Sequence, residues 1–177
     1  MSPTAVINWN EVIEDLGPAL LRYFVAAGFA RAHASDGVQE TLLRLVRLAR
    51  EGEFDPERGS PRMLAFGIAR LVKYEFYRNV GEHDLYGDTS EYANRLPDTD
   101  AVSAPDSLDE NRSQVRLREA IASLESPLRE IFLLLVDREL KLQEIAGILS
   151  MPVGTVKSHV HRGKEKLREL LTVREER

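Results

Sequence analysis

The stretch Leu142-Gln143-Glu144-Ile145-Ala146-Gly147-Ile148-Leu149, then Ser150-Met151-Pro152-Val153-Gly154, then Thr155-Val156-Lys157-Ser158-His159-Val160-His161-Arg162-Gly163-Lys164-Glu165-Lys166-Leu167 decides the fold. It reads as an amphipathic helix, a short turn carrying Pro and Gly, and a second amphipathic helix with a basic outer face. That is the layout of a helix-turn-helix, whose second helix enters the DNA major groove. Ile145, Ala146 and Leu149 fall at helical spacing on the first helix, and Ala146 is small where the two helices must cross. Gly154 is expected to permit the tight turn, and Thr155 to cap the second helix. Val156, Val160, Gly163 and Leu167 recur at helical spacing and are expected to face inward. Lys157, Ser158, His161, Arg162 and Lys164 lie outside that stripe. Between Met151 and Arg174 there are six Lys/Arg against two Glu, a local surplus of +4.

The 177 residues suffice for two small domains, and 43% hydrophobic with 30% charged residues fits a globular chain. No run approaches the roughly 18–20 apolar residues that cross a bilayer. Met1-Ser2-Pro3-Thr4 has neither the basic start nor the apolar core of a signal peptide, so a cytoplasmic location is expected. The absence of Cys excludes disulfides, thiolate zinc sites and Cys nucleophiles. The net charge of −5 is unevenly spread. Residues 1–80 carry ten basic and ten acidic side chains, residues 81–113 two and nine, and residues 114–177 twelve and ten. The DNA-binding end is therefore locally positive, but only modestly. Since phosphate neutralisation supplies most non-specific affinity, help from a larger partner is expected.

An all-helical chain of two small domains follows, spanning 1–80 and 114–177. Residues 81–113 lack apolar periodicity and are rich in Asp, Ser, Thr, Asn, Gly and Pro, which marks a flexible acidic linker. It is either a plain tether or a segment threaded along a partner. In the first domain Trp9 to Leu16 opens the fold, Gly17-Pro18 breaks the pattern, and a helix continues through Ala27. Ser35 is expected to cap a helix from Asp36 to Arg50 with Val38, Leu42, Leu45, Val46 and Ala49 as its apolar stripe. A polar loop, Gly52 to Pro61, holds Phe54. A long helix from Arg62 to Asn79 places Leu64, Ile68, Leu71, Val72 and Glu75 on one face. Arg62, Phe66, Arg70, Lys73 and Tyr77 share another. Cations interleaved with aromatics suit single-stranded DNA; the same pattern also fits a solvated basic face over packed aromatics. In the second domain Leu117, Ala120, Ile121 and Leu124 form one helix. Ser126-Pro127 starts the next, whose core is Leu128, Ile131, Phe132, Leu134 and Leu135, with Glu130 near its first turn.

These halves, in this order, resemble the extracytoplasmic-function (ECF) sigma factors of bacterial RNA polymerase. Leu124, Pro127-Leu128-Arg129-Glu130-Ile131-Phe132-Leu133-Leu134, Glu144-Ile145-Ala146, Pro152-Val153-Gly154-Thr155-Val156-Lys157-Ser158 and His161-Arg162 are similar to the family's region 4. Asp36-Gly37-Val38-Gln39-Glu40-Thr41-Leu42 resembles its region 2 core-binding stretch, and Phe66-Gly67-Ile68-Ala69-Arg70 its promoter-melting helix. The resemblance implies a sigma factor that directs core polymerase to specific promoters. Asp36, Gln39 and Glu40 would contact core, chiefly the coiled coil of the β′ subunit, with the β subunit also a partner. On residue grounds alone, the preferred reading is that Asp36 merely favours a helix N-terminus and that Gln39 and Glu40 are solvated. The loop with Phe54 would capture a flipped −10 base, and Arg62, Phe66, Arg70 and Lys73 would guide the non-template strand. Thr155, Lys157, Ser158, His161, Arg162 and Lys164 would read or clamp the −35 element. The linker would follow the RNA-exit path. An anti-sigma factor is an expected partner; no cofactor, metal or membrane insertion is implied. The chain departs from the family at Met63 (usually Trp), Leu71 (Asn), Glu75 (Asp), Asn79 (Arg), His159 (a basic residue) and Lys141 (Ser or Thr).

Two other readings share the helix-turn-helix: a regulator that binds DNA without polymerase, and a sigma-like interaction protein without promoter activity. An enzyme is disfavoured by the residues. No Gly-rich phosphate loop, nucleophile–His arrangement or metal motif is present. His159 and His161 diverge by about 200° on a helix, and Asp98 and Asp100 sit in the linker.

Overall fold

The computed structural model describes residues 7–80 and 108–175. Helix α1 (Trp9–Ala26) runs unbroken through Pro18, against the expected break. Pro18 removes only the N–H that would reach the Glu14 carbonyl, and both residues face solvent. On the opposite side Leu16, Ala19, Leu20, Tyr23 and Phe24 are buried. An interior Pro costs ~3 kcal/mol, whereas each large apolar side chain buried contributes about 1.5–3 kcal/mol, so the helix holds. Gly28, at φ 95°, turns the chain. Its N–H donates to the Val25 carbonyl at 3.1 Å, and the Phe29 N–H to that of Phe24 at 3.1 Å. This seats Phe29 among the rings of Phe24, Phe76 and Tyr77.

Helix α2 (Arg31–Arg50) begins five residues before the expected start, so Ser35 is an interior residue and not a cap. The Ala34 N–H donates to the Ala30 carbonyl at 2.8 Å and opens the ladder. Its buried face is Ala34, Gly37, Thr41 and Leu45. Val38 and Leu42, expected at the centre of the stripe, are only partly buried. The face shifts because α1 and α2 pack closely at Gly37, where an added Cβ would stand 2.9 Å from Phe24 Cε1. Thr41 is tolerated inside because its hydroxyl donates to the Gly37 carbonyl at 2.7 Å. Helix α3 (Pro61–Val80) completes the half, burying Ala65, Phe66, Ala69 and Val72.

The second half contains α4 (Leu108–Ala122), α5 (Leu128–Leu135), α6 (Leu142–Leu149) and α7 (Val153–Glu175). Residues 108–113 of the expected linker are therefore helical; 81–107 lie outside the described residues. Ala120, Ile121, Leu124, Ile131, Leu134, Ile145, Val156 and Leu167 build its core, while Leu117, expected to join them, is exposed. Helix α5 starts at Leu128 with Pro127 at the N-cap position and no side-chain cap, so Ser126 does not cap it. At α6 the Glu144 carboxylate accepts from the Lys141 N–H at 2.9 Å, doing the work a Ser or Thr cap would share.

The turn of the helix-turn-helix is made by Ser150, in the left-handed region at φ 53°, and not by Gly154. The Met151 N–H donates to the Ala146 carbonyl at 2.9 Å. The Pro152 carbonyl accepts from the Val156 N–H at 3.1 Å, which places Gly154 and Thr155 inside the first turn of α7. Thr155 is thus not the cap.

Among the described residues the fold is all α-helix, and no helix is long and apolar enough to cross a membrane. The two halves also meet. Helix α3 packs on α6, and α1 on α4 and α5, so that the buried apolar residues of both halves form one continuous cluster.

Candidate nucleic-acid interface

Helix α7 presents Lys157, Ser158, His161, Arg162 and Lys164 to solvent while Val156, Gly163 and Leu167 are buried. Thr155 is exposed at its first turn. The Ser158 hydroxyl donates to the Gly154 carbonyl at 3.0 Å, so it offers incoming groups an acceptor. An Arg162 guanidinium nitrogen lies 2.9 Å from His159 Nδ1, which orients the fork along the helix. His161 stands 3.7 Å from Glu165. The result is a rigid row of cations and hydroxyls on one side of a packed helix, able to reach phosphates and base edges.

The residues of α3 expected to guide a single strand have another disposition. Arg62 is a hub. One of its terminal nitrogens meets Asp137 at 2.9 Å, and the other contacts Asp15 and reaches Glu139 at 2.6 Å. Lys73 is 2% exposed and donates to Glu130, itself only 8% exposed. The Lys73 ammonium also sits 4.8 Å from the centre of the Tyr74 ring and 5.9 Å from that of Tyr23. Arg70 lies over Tyr74 at 5.1 Å, with its Nε 3.4 Å from Glu130. Burial pushes the Lys73 ammonium below its usual range, opposed by the Glu130 charge. Burial pushes the Tyr23 hydroxyl well up, and that hydroxyl has no hydrogen-bond partner among the described residues. Phe66 is withdrawn from the strand-guiding set: it is fully buried, edge-on to Tyr23 with ring centres 5.7 Å apart. The i+4 spacing from Arg62 that suggested a shared outer face is interrupted by the packing of α1. Phe54 is half-buried, edge-on to Trp9 at 5.3 Å, and lines a cleft of about 290 Å³ with Gly59, Ser60, Met63, Leu64 and Ile148.

On α2, Asp36 and Gln39 are exposed, whereas Glu40 is half-buried. Arg44 binds Glu40 at 2.7 Å and forks onto both Glu75 oxygens at 3.0 and 2.6 Å. The fork holds the Glu75 carboxyl below its usual range and raises the Arg44 guanidinium. Glu75, expected on the apolar face of α3, is thus half of a tie to α2. Leu43, beside this pair, is 64% exposed.

Sequence reasoning missed the carboxylates that hold the cations: Asp15, Glu130, Asp137 and Glu139. A signal existed. Glu130 is the sole acid in the apolar run from Leu128 to Leu135, and a charge so placed is buried only when paired.

The fold and these surfaces define a two-module DNA-binding protein with a helix-turn-helix at its C-terminal end. Residues 114–167 match sigma-70, region 4. The ECF RNA polymerase sigma factor EcfG of Rhodopseudomonas palustris is 31% identical over 156 residues, covering 88% of this chain and 81% of that protein. The chain belongs to the ECF RNA polymerase sigma factor family. SigW of Bacillus subtilis is 44% identical over 55 residues, 31% of this chain and 29% of that protein's length. SigE of Mycolicibacterium smegmatis is 25% identical over 168 residues, 94% of this chain and 63% of that protein. The fold is shared with the sigma factor RpoE of Bartonella quintana, solved in complex with the anti-sigma factor NepR (TM-score 0.68, 24% identity, 95% of this chain and 99% of that one). It is shared too with CnrH in complex with the cytosolic domain of CnrY (TM-score 0.67, 20% identity, 93% and 88%).

Proposed function

We propose that this chain directs core RNA polymerase to a specific set of promoters and initiates transcription there, without catalytic chemistry of its own. The observation that carries the reading is α7, an exposed row of Lys157, Ser158, His161 and Arg162 on a helix whose other side is locked into the core. That row would engage the −35 element in the major groove. Arg62, Arg70 and Lys73 would hold the −10 strand, and the Phe54 cleft would take a flipped base. The outward Asp36 and Gln39, with the Arg44-bound Glu40, would dock on the β′ and β subunits. A protein of this fold was solved with an anti-sigma factor, and an anti-sigma partner in the cytoplasm is proposed here as well.

The decisive experiment is run-off transcription with purified core polymerase and a promoter library. Promoter-dependent transcripts are expected only when this chain is added. Tight sequence-specific duplex binding without core, together with no transcripts, would instead identify a polymerase-independent regulator.

A further inference from the structure

On the outward side of α7 one side-chain pair is joined before any DNA arrives. Arg162 Nη2 lies 2.9 Å from Nδ1 of His159, three residues earlier on the helix. A guanidinium has no acceptor, so Arg162 donates and the ring accepts, with its own proton on Nε2. His159 is half-buried and Arg162 exposed, so the ring is the anchored partner and the long guanidinium side chain the one that is steered. It is steered toward the N-terminal end of α7, the end of a recognition helix that meets base edges. His161 is turned the other way: its Nδ1 stands 3.7 Å from Glu165, four residues later. The contact with the ring takes one Nη2 hydrogen of Arg162. The other still forms a complete two-donor edge with Nε or with Nη1, and such an edge is what the O6 and N7 of a guanine accept.

We propose that His159 is a positioning residue for −35 recognition: its Nδ1 holds the Arg162 fork aimed at one base pair and so sets how sharply that pair is chosen. This rests on the reading of α7 as the groove helix. A free Arg side chain loses rotamer freedom when it settles into one geometry on a base. Held by the ring, it has lost much of that freedom beforehand, and less of the contact energy is offset on binding. The other role open to a side chain at this place is a phosphate contact, which adds affinity without sequence preference. The basic residue usual here in the family suits that role, but its cation has no lone pair for Arg162 and repels it. A neutral imidazole gives up the phosphate contact and gains a fixed reader.

The test uses holoenzyme assembled with core polymerase, at about pH 8, where imidazole is neutral, and a duplex promoter library randomised across the −35 element. Selection and sequencing read the preference at each base pair, and anisotropy of the labelled duplex pool reads overall affinity. Arg162→Ala first marks the base pair that Arg162 reads. At that pair His159→Ala is expected to lower the preference about three- to tenfold, the span of one hydrogen bond's net contribution. Preference elsewhere stays as it was, which shows that the variant is folded. His159→Asn, whose Oδ1 takes the place of Nδ1, is expected to restore most of the loss. His159→Lys is expected to lose the same preference while binding the pool at least as tightly. In the Arg162→Ala background His159→Ala is expected to change nothing further. Full preference in His159→Ala or His159→Lys overturns the proposal. So does a loss spread evenly over all base pairs, a loss in His159→Asn as large as in His159→Ala, or an equal loss with Arg162 already absent. Each of these leaves α7 in the groove. If Arg162→Ala relaxes no base pair at all, the groove reading itself fails, and the proposal with it.

Discussion

Gly163 of α7 lies flat against the ring of Phe132 in α5: an added Cβ would overlap Cε2 and stand 2.9 Å from Cζ. A glycine in mid-helix costs about 1 kcal/mol relative to Ala, so close packing must outweigh that cost. Gly163→Ala is therefore expected to destabilise the second half by about 1–2 kcal/mol net, since overpacking costs typically ~1–3 kcal/mol. Thermal or urea unfolding measures it. Phe132→Leu should relieve most of the loss in the double variant; equal losses with and without Phe132 would show that the ring is not the obstacle.

The Arg44–Glu75 fork ties α2 to α3. Glu75 is held below its ordinary value of 4.5 by Arg44. A carboxyl depressed in the folded state adds stability that is complete above its unfolded value and is lost as pH falls through the folded one. Glu75→Gln is expected to cost about 0.5–1 kcal/mol near neutral pH, the upper end for a partly exposed pair. The difference from the unaltered chain should shrink as pH drops below 4.5. A gap that stays constant from pH 6 to 3 would contradict the assignment.

Core binding is expected to depend on Asp36. Glu40 already neutralises part of Arg44, so reversing its charge would disturb the fork as well as the surface. Asp36→Arg with Glu40→Gln is the cleaner pair. It should abolish co-elution with core polymerase and leave the helical circular dichroism unchanged. Undiminished co-elution would place the core contact elsewhere.

Promoter selection by mutant holoenzymes tests α7. Arg162→Ala should cost about 1–3 kcal/mol and relax preference at one base pair if its fork reaches a base edge. Lys164→Ala should weaken all sequences alike and lower the salt dependence by about one phosphate contact. If Arg162→Ala leaves both −35 preference and affinity untouched, the helix does not lie in the groove as argued.

The helix-turn-helix was legible because Val156, Gly163 and Leu167 obey a single helical period and the cations avoid it. Boundaries were less so. Pro18 and Ser35 are strong local signals, yet burial of Leu20 and Phe24 outweighs the first, and Ala30 opens α2 ahead of the second. Phe66 and Lys73 could not be placed from their own helix, because what covers them belongs to α1 and α5. Spacing along one helix reports which residues share a face; it is silent about which chain segment, dozens of residues away, brings a carboxylate to that face. The Arg62 and Lys73 partners were invisible for that reason.

The hub at Arg62 bears on modular exchange. Its carboxylates arrive from α1 and from the α5–α6 connection, so each half carries only part of one ionic set. A second half transplanted from a relative that lacks Asp137 and Glu130 would keep its helix-turn-helix, yet its arrival would leave Lys73 without its carboxylate and Arg62 with only part of its ionic set. Chimeras are then expected to inherit promoter preference from the donor half and to lose the host's docking between halves, unless both carboxylates are carried across with the graft.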